Sequence, residues 1–165
     1  MTEQAEIDET WRGKIGRLTG EELNAFLERG IVARVGTLDE RGWPYVVPAW
    51  FEWDPAAGIF WLIARRKSAW ALHIKENPRV ALSIDEEGAP YRKVQAQGLA
   101  EIIEEPNTGG AWVEIANRMA VRYLGEHGPD YLVPTLNQPR WLIKVVPDRF
   151  ATWQGVDWAR KYKEQ

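Results

Sequence analysis

Two short turns between apolar segments restrict the fold of this 165-residue chain more than any other feature. Residues 39–42 (DERG) separate segment 31–38 from segment 43–53, and residues 54–58 (DPAAG) separate the latter from segment 59–64. All three segments are rich in the β-branched, aromatic and aliphatic residues that favour strands. Turns this short join antiparallel neighbours, because a parallel crossover needs a dozen or more residues. The pattern therefore predicts a meander of antiparallel strands and disfavours a doubly wound parallel sheet.

Two prolines, Pro44 and Pro48, interrupt the second of these strands. Proline has no backbone N–H to donate to a neighbouring strand. We therefore expect this strand to lie at an edge of the sheet, or to be bulged where the prolines lie. An edge with a missing donor can also face a ligand.

Three segments have the apolar spacing of helices, and each has an expected cap. Thr19 and Glu22 have capping-box spacing, Ser68 is a natural N-cap, and Gly125 follows the third helix. The predicted helices are 20–29, 68–76 and 108–124. Further strands are predicted at 79–84, 91–103 (with a bend or bulge at Gly98), 140–146 and 149–153, and a loop at 125–139. About seven short strands with helices only between strand groups predict a mainly β (α+β) fold, an antiparallel barrel with a few peripheral helices.

The length fits one domain, and we expect an N-terminal arm at residues 1–18 followed by a single domain at 19–165. The net charge is -3 with interspersed signs, so we expect neither nucleic acid nor a membrane as a partner. The chain has no cysteine, which excludes disulfides and a thiol nucleophile. Without a secretory signal or a long apolar segment, a cytoplasmic location is expected.

Residues 64–68 (ARRKS) lie where an apolar strand meets the start of a predicted helix. Free N–H groups at a helix N-terminus and basic side chains together suit a phosphate monoester. Three cations at a helix N-terminus interact unfavourably with the helix dipole, and a bound anion would compensate for this. A solvated basic turn is the alternative.

The order of elements around this segment is similar to that of a known family. Gly42 and Pro44 in G-x-P spacing, an apolar strand, a turn, IFWLIA, the basic cluster with Ser68, a helix and the segment 77–82 (NPRVAL) follow one another. This succession resembles the pyridoxamine-phosphate oxidase-like superfamily of FMN-binding split β-barrel proteins, over roughly residues 20–103. The resemblance implies an antiparallel split β-barrel with Greek-key-like connections. It also implies a homodimer with FMN in a cleft between the subunits.

Carried over by position, the resemblance implies which residues contact the cofactor. They are Val47, Pro48, Ala49, Trp50, Ile63, Ala64, Arg65, Arg66, Lys67, Ser68, Trp70 and Lys93. Residues 47–50 would lie along the edge of the isoalloxazine ring, and residues 63–64 near the ribityl chain and the phosphate. Ser68 aligns with the serine of the family's Ser-Arg-Lys phosphate motif, but here the basic residues precede the serine. The resemblance therefore implies a displaced phosphate clamp.

Lys93 stands where oxidases of the family have a glutamine that contacts the flavin. It is a candidate to reach the cofactor from the partner subunit, and an exposed strand lysine is the alternative. Val47 stands where authentic pyridoxamine-phosphate oxidases have an arginine, which disfavours vitamin B6 oxidation. An apolar lining that includes Trp50 and Trp70 would suit a flat hydrophobic substrate.

The resemblance thus implies an FMN-dependent oxidoreductase that transfers hydride to or from a small, flat, apolar substrate. No side chain need be catalytic, because the flavin carries the hydride. A reductase using the deazaflavin coenzyme F420 is one alternative, and a non-enzymatic module that binds flavin or haem is another. The two histidines, His73 and His127, are isolated, which disfavours a metal centre and bis-histidine haem ligation.

Overall fold

The computed structural model describes residues 13–163 of the chain. The arm predicted at 1–18 falls mainly on residues 1–12, which lie outside the described residues. Next to them, Gly16 forms an antiparallel bridge with Gln154, and Leu18 is buried. The division into an arm and one domain stays a prediction.

Seven strands form one antiparallel sheet in the order β2-β1-β5-β6-β7-β4-β3. The strands are β1 (Ala33–Leu38), β2 (Pro44–Ala49), β3 (Phe51–Asp54), β4 (Ile59–Arg65), β5 (Arg79–Asp85), β6 (Lys93–Asn107) and β7 (Arg140–Trp153). The α-helices are α1 (Gly20–Leu27), α2 (Ala69–Glu76) and α3 (Trp112–Leu124), and 3-10 helices lie at Gly128–Tyr131, Val133–Thr135 and Arg160–Tyr162. The mainly β split-barrel fold with peripheral helices is confirmed. None of the helices in the described part of the chain is long and apolar enough to cross a membrane.

The barrel is split between β2 and β3, which lie at opposite edges of the sheet. The sequence predicted one strand at 43–53 within a meander, and this prediction is wrong. The chain leaves the sheet at Trp50, whose ring stacks on Tyr123 of α3 with centroids 4.7 Å apart. The proline-containing strand β2 does lie at an edge, as its missing N–H groups predicted.

Strand β7 is continuous, whereas the sequence predicted two strands at 140–146 and 149–153. Pro147 still pairs with Gly98, and the register shifts between Gly98 and Gln97, so Asp148 is accommodated as a bulge. A Cβ atom at Gly98 would overlap the carbonyl oxygen of Val146. The predicted irregularity at Gly98 is therefore confirmed, and it lets the two long strands β6 and β7 curve together.

The helix caps differ in how well the sequence predicted them. The capping box is confirmed: Glu22 N donates to Thr19 Oγ1 (3.2 Å) and Thr19 N donates to Glu22 Oε2 (2.7 Å). The predicted start of the third helix at residue 108 is wrong, because α3 begins at Trp112. There, Glu104 on β6 accepts hydrogen bonds from the backbone N–H groups of Ala111 (2.9 Å) and Trp112 (3.4 Å), so a carboxylate distant in sequence caps the helix.

Two hydrophobic clusters hold the fold together. The larger one fills the barrel and includes Phe26, Phe60 and Ile143. The smaller one joins α3 to the outside of the barrel through Trp112 and Leu142. Helix α3 is thus fixed beside the ends of β4 and β7, and the space left between these elements forms the candidate site.

Candidate functional site: a cleft with a buried arginine

A cleft of about 460 Å³ lies between β4, the start of α2, α3 and the start of β7. We call it the arginine cleft. Its lining residues are Val32, Pro48, Ala49, Trp50, Ile63, Ala64, Arg65, Ser68, Trp70, Ala116, Met119, Tyr131, Leu132 and Arg140. Most of these side chains are apolar or aromatic, and the polar groups gather at the ends of β4 and β7. This combination is typical of a cofactor site.

The structure brings most of the predicted site residues together in this cleft. The predicted residues that line it are Pro48, Ala49, Trp50, Ile63, Ala64, Arg65, Ser68 and Trp70. Val47 instead packs half-buried against the barrel core, and Arg66 and Lys67 are exposed just beyond the lining. Lys93 lies in a different cleft. Their contacts with a cofactor stay predictions.

Arg140 is the main residue of the cleft that sequence reasoning missed. It is only 9% exposed, and its guanidinium lies over the Trp112 ring at 4.9 Å. Its Nη2 donates to Thr135 Oγ1 (2.6 Å), while its buried Nε has no hydrogen-bond partner. Burial lowers the pKa of Arg140; Tyr131 acts in the opposite direction and the charge of Arg65 in the same one. Within residues 13–163, Arg140 makes no ion pair.

Arg65 is the cross-strand neighbour of Arg140, because the last residue of β4 pairs with the first residue of β7. No carboxylate is present among the described residues that line the cleft. Two like charges directly opposite each other destabilise a sheet, and a buried cation without an anionic partner costs more. An anion bound between Arg65 and Arg140 would therefore stabilise this part of the protein.

Ser68 adds a neutral donor to the two arginines. It occupies the N-cap position of α2, but its hydroxyl makes no capping hydrogen bond, so this group remains available. The preceding turn is fixed to the start of β7: Arg66 N donates to Pro139 O (3.2 Å), and Trp141 Nε1 donates to Arg66 O (3.0 Å). The turn thus holds Arg65 and Ser68 at the same end of the cleft as Arg140.

The aromatic wall of the cleft is also held in place. Trp50 stacks on Tyr123 with an interplanar angle of 3°, and the Tyr131 ring lies 5.9 Å away. The Tyr123 hydroxyl donates to Ile31 O (2.9 Å) and accepts from Phe51 N (3.2 Å), and burial raises its pKa. Because Tyr123 is fixed at both sides, the Trp50 ring has a defined plane against which a flat ligand can lie.

Comparison with known proteins identifies similar sequences and structures. The profile of the pyridoxamine 5'-phosphate oxidase family matches residues 19–154, and no curated protein matches the chain significantly. A conserved hypothetical protein from Mycobacterium tuberculosis is similar in structure, with 24% identity and a TM-score of 0.69 over 87% of this chain and 88% of that chain. An F420 reductase has 28% identity and a TM-score of 0.62 over 78% and 94% of the two chains. The heme storage protein HutZ from Vibrio cholerae has 19% identity and a TM-score of 0.63 over 85% and 98%.

Proposed function

The chain belongs to the pyridoxamine 5'-phosphate oxidase family, and on that premise we propose that it is an oxidoreductase whose arginine cleft binds FMN. The observation that carries this proposal is Arg140, a buried guanidinium with a free Nε and no carboxylate among the described residues that line the cleft. A phosphate group supplies the missing negative charge and accepts several hydrogen bonds at once. Arg140, Arg65 and the Ser68 hydroxyl are the donors we assign to it.

The rest of the cleft suits the remainder of the cofactor. Apolar side chains such as Ile63, Ala64 and Met119 line the same cleft as the arginines and Trp50. A flavin ring placed against Trp50 gains stacking, and the apolar wall that it covers has few hydrogen bonds to water to lose. When bound, FMN supplies the hydride chemistry. The side chains named here bind and orient the cofactor, and none is assigned as an acid or base.

The partner in this proposal is a second copy of the chain. The outer face of β1, β5 and β6 has small residues at Gly36 and Ala81, flanked by the exposed apolar side chains of Val46, Leu99 and Val146. Such a partly apolar surface suits burial against another subunit. In the dimer that we propose, Lys93 contacts the cofactor held by the other subunit.

Sedimentation of the full chain tests this dimer. We expect the mass of a dimer for the parent protein and that of a monomer for Leu99→Glu. Val121→Glu is the matched control, because Val121 is similarly exposed but lies on α3, away from the outer face. A parent protein that sediments as a monomer at micromolar concentration contradicts the dimer.

The decisive test of the cofactor removes the phosphate from the ligand and the guanidinium from the protein in turn. FMN and riboflavin, which lacks the phosphate, are titrated against the parent protein and Arg140→Met, with tryptophan fluorescence as the readout. We expect FMN to bind the parent protein about 10- to 100-fold more tightly than riboflavin does, because charge-assisted hydrogen bonds are lost with the phosphate. In Arg140→Met most of this difference should disappear.

Arg41→Met is the control, since Arg41 is an exposed arginine in the turn between β1 and β2, outside the cleft. It should leave both affinities unchanged. If FMN binds Arg140→Met as tightly as it binds the parent protein, the phosphate does not lie at Arg140. If neither FMN nor F420 binds the parent protein, the cofactor proposal is wrong.

A deazaflavin reductase is the second candidate, because the F420 reductase is 28% identical to this chain. Arg66 and Lys67 are exposed next to the cleft, where they could pair with an anionic tail longer than that of FMN. The double substitution of both residues by glutamine should then weaken F420 binding about tenfold and leave FMN binding nearly unchanged. Haem has less support, since His73 Nδ1 lies 3.0 Å from Thr37 Oγ1 and neither this residue nor His127 is among the described residues lining the cleft.

A further inference from the structure

The segment of residues 128–135, between α3 and β7, forms two short 3-10 helices beside the arginine cleft. Leu132 lines the cleft and is only 3% exposed, because it packs in the smaller hydrophobic cluster. Thr135 N donates to Leu132 O (2.8 Å), and Gln138 N donates to Thr135 O (3.0 Å). These backbone bonds give Thr135 a defined position shortly before β7 begins.

The Thr135 hydroxyl has a fixed hydrogen-bonding direction. Thr135 Oγ1 donates to Leu132 O (3.0 Å), and the same oxygen accepts from Arg140 Nη2 (2.6 Å). A hydroxyl has one proton to donate, and here the proton is used within the 3-10 segment. The oxygen therefore meets Arg140 only as an acceptor, and a hydrogen bond from a charged donor is stronger than one between neutral groups. This contact fixes one edge of the guanidinium.

A second contact fixes the plane of the guanidinium. Arg140 lies over the Trp112 ring, 4.9 Å from its centroid. Trp112 is fully buried, and its Nε1 donates to Asn107 O (3.0 Å), so the ring is held in one orientation. With one edge and one face restrained, Arg140 still keeps a buried Nε without a partner.

The charge of Arg65 works against this arrangement. Arg65 and Arg140 are direct cross-strand neighbours, and like charges favour conformations that move them apart. One phosphate can contact both residues only if the two guanidinium groups stay close to each other. The restraint on Arg140 must therefore come from neutral groups, and Thr135 and Trp112 are the neutral groups that contact it.

We propose that Thr135 is a positioning residue, which holds the Arg140 guanidinium in the orientation that binds the phosphate of the cofactor. The inference rests on the proposed function, because it takes the phosphate at Arg140 as its starting point. Thr135 is not among the residues that line the cleft, so it acts through Arg140. A guanidinium already held in place does not have to be ordered by the ligand, which lowers the cost of binding.

Two substitutions at Thr135 separate the hydroxyl from the size of the side chain. Thr135→Val keeps the shape and removes the hydroxyl, whereas Thr135→Ser keeps the hydroxyl. FMN and riboflavin are titrated against each protein, with tryptophan fluorescence as the readout. We expect Thr135→Val to weaken FMN binding about five- to tenfold and to leave riboflavin binding unchanged, since only FMN uses Arg140. Thr135→Ser should restore the affinity for FMN to within about twofold of the parent protein.

Two further proteins show whether the effect passes through Arg140. In Arg140→Met, the additional substitution Thr135→Val should not weaken FMN binding further, because the group that it positions is absent. Thr37→Val is the matched control, since Thr37 is 2% exposed and its Oγ1 lies 3.0 Å from His73 Nδ1, outside the cleft. It removes a hydroxyl from a similar hydrogen bond and should leave both affinities unchanged.

Nuclear magnetic resonance of the ligand-free protein tests the positioning without any cofactor. The protein is labelled with nitrogen-15 at arginine, and the Arg140 Nε–H signal is identified by its absence from Arg140→Met. We expect this hydrogen to exchange with water about tenfold faster in Thr135→Val than in the parent protein or in Thr135→Ser. If this difference is present while neither flavin binds the parent protein, the proposed function is wrong and the positioning of Arg140 by Thr135 is supported.

Four results would overturn the positioning role. Thr135→Val could bind FMN as tightly as the parent protein does. Thr135→Val and Thr135→Ser could weaken FMN binding equally, so that the hydroxyl is not the cause. Thr135→Val could weaken FMN binding as much in Arg140→Met as in the parent protein. Finally, the Arg140 Nε–H could exchange equally fast in Thr135→Val and in the parent protein, which would show that Thr135 does not restrain Arg140.

Discussion

Two clusters of arginine side chains lie beside turns of the barrel, and within residues 13–163 only one of them contains a carboxylate. At the turn between β5 and β6, Glu86 has a side chain only 8% exposed and accepts hydrogen bonds from Arg29 and Arg92. The Arg92 bonds come from Nε and Nη2, at 2.8 and 3.1 Å. In the arginine cleft, Arg65 and Arg140 face each other across β4 and β7, and the described lining offers them no carboxylate.

The difference separates a structural charge cluster from a binding site. Removing charges from water costs free energy, which is offset only where opposite charges and hydrogen bonds replace the water. In the Glu86 cluster the carboxylate of the chain itself offsets the cost of burying the charges, so the cluster joins the turn to the barrel. In the arginine cleft, a bound ligand has to offset the cost of removing the arginine charges from water. An incompletely paired cation is therefore a better sign of function than the number of cations in a segment.

Removal of the Glu86 charge should have the largest effect on stability. Glu86→Gln keeps the size of the side chain but leaves two guanidinium groups without their carboxylate. We expect the free energy of unfolding to fall by about 3 kcal/mol, at the low end for a broken buried ion pair because both arginines are partly exposed. Urea unfolding measures this, with Glu87→Gln as the control at an adjacent exposed position. A loss below 1 kcal/mol would mean that the cluster is no more than a surface ion pair.

A phosphate ligand should produce the next largest effect, and only in the arginine cleft. FMN at a hundredfold excess over its Kd should stabilise the parent protein by about 2.7 kcal/mol. Arg140→Met should lose most of this gain while folding about as stably as the parent protein without ligand, because an apolar side chain of similar length replaces an unpaired charge. Thermal unfolding with and without FMN measures both quantities. A large loss of stability in Arg140→Met without ligand would show that Arg140 has a structural role instead.

The sequence predicted those features of the two regions that depend on neighbouring residues. The capping box of Thr19, the edge position of β2 and the gathering of Arg65 with Ser68 at a helix start all follow from residues within a few positions of each other. The sequence therefore predicted part of the chemical character of the cleft. It did not predict the most informative residue of the cleft, Arg140.

Arg140 could not be predicted because its role depends on the pairing register between β4 and β7. Arg65 and Arg140 are 75 positions apart, and nothing in the sequence around Arg140 distinguishes it from an exposed strand residue. The same holds for Glu104, which caps α3 across a loop, and for Trp50, which interrupts a segment that looks like one strand. In each case a contact between distant elements overrode the local pattern.

The pH dependence of stability should distinguish the Glu86 cluster from the arginine cleft, with a smaller effect than the substitution of Glu86. Burial alone would raise the pKa of Glu86, but hydrogen bonds from Arg92 and Arg29 outweigh it and lower the pKa. The stabilisation is therefore fully present above the unfolded-state pKa of about 4.3 and is lost as pH falls through the folded-state pKa. Urea unfolding between neutral and acidic pH should show a shallower loss of stability for Glu86→Gln than for the parent protein. Parallel curves would contradict this assignment.

The smallest expected effect, and the most direct one on the unpaired cluster, comes from Arg65→Gln. It removes the like charge directly opposite Arg140, so the ligand-free protein should become more stable by about 0.5 kcal/mol. The gain should shrink as salt screens the repulsion. Arg66→Gln is the control, because Arg66 follows the paired residue and has no cross-strand neighbour in β7. With FMN present, Arg65→Gln should be less stable than the parent protein, since Arg65 then binds phosphate. If Arg65→Gln stabilises the free protein and destabilises the complex, the repulsion between Arg65 and Arg140 is a cost of the free protein that ligand binding offsets. Destabilisation in both states would show that Arg65 supports the fold.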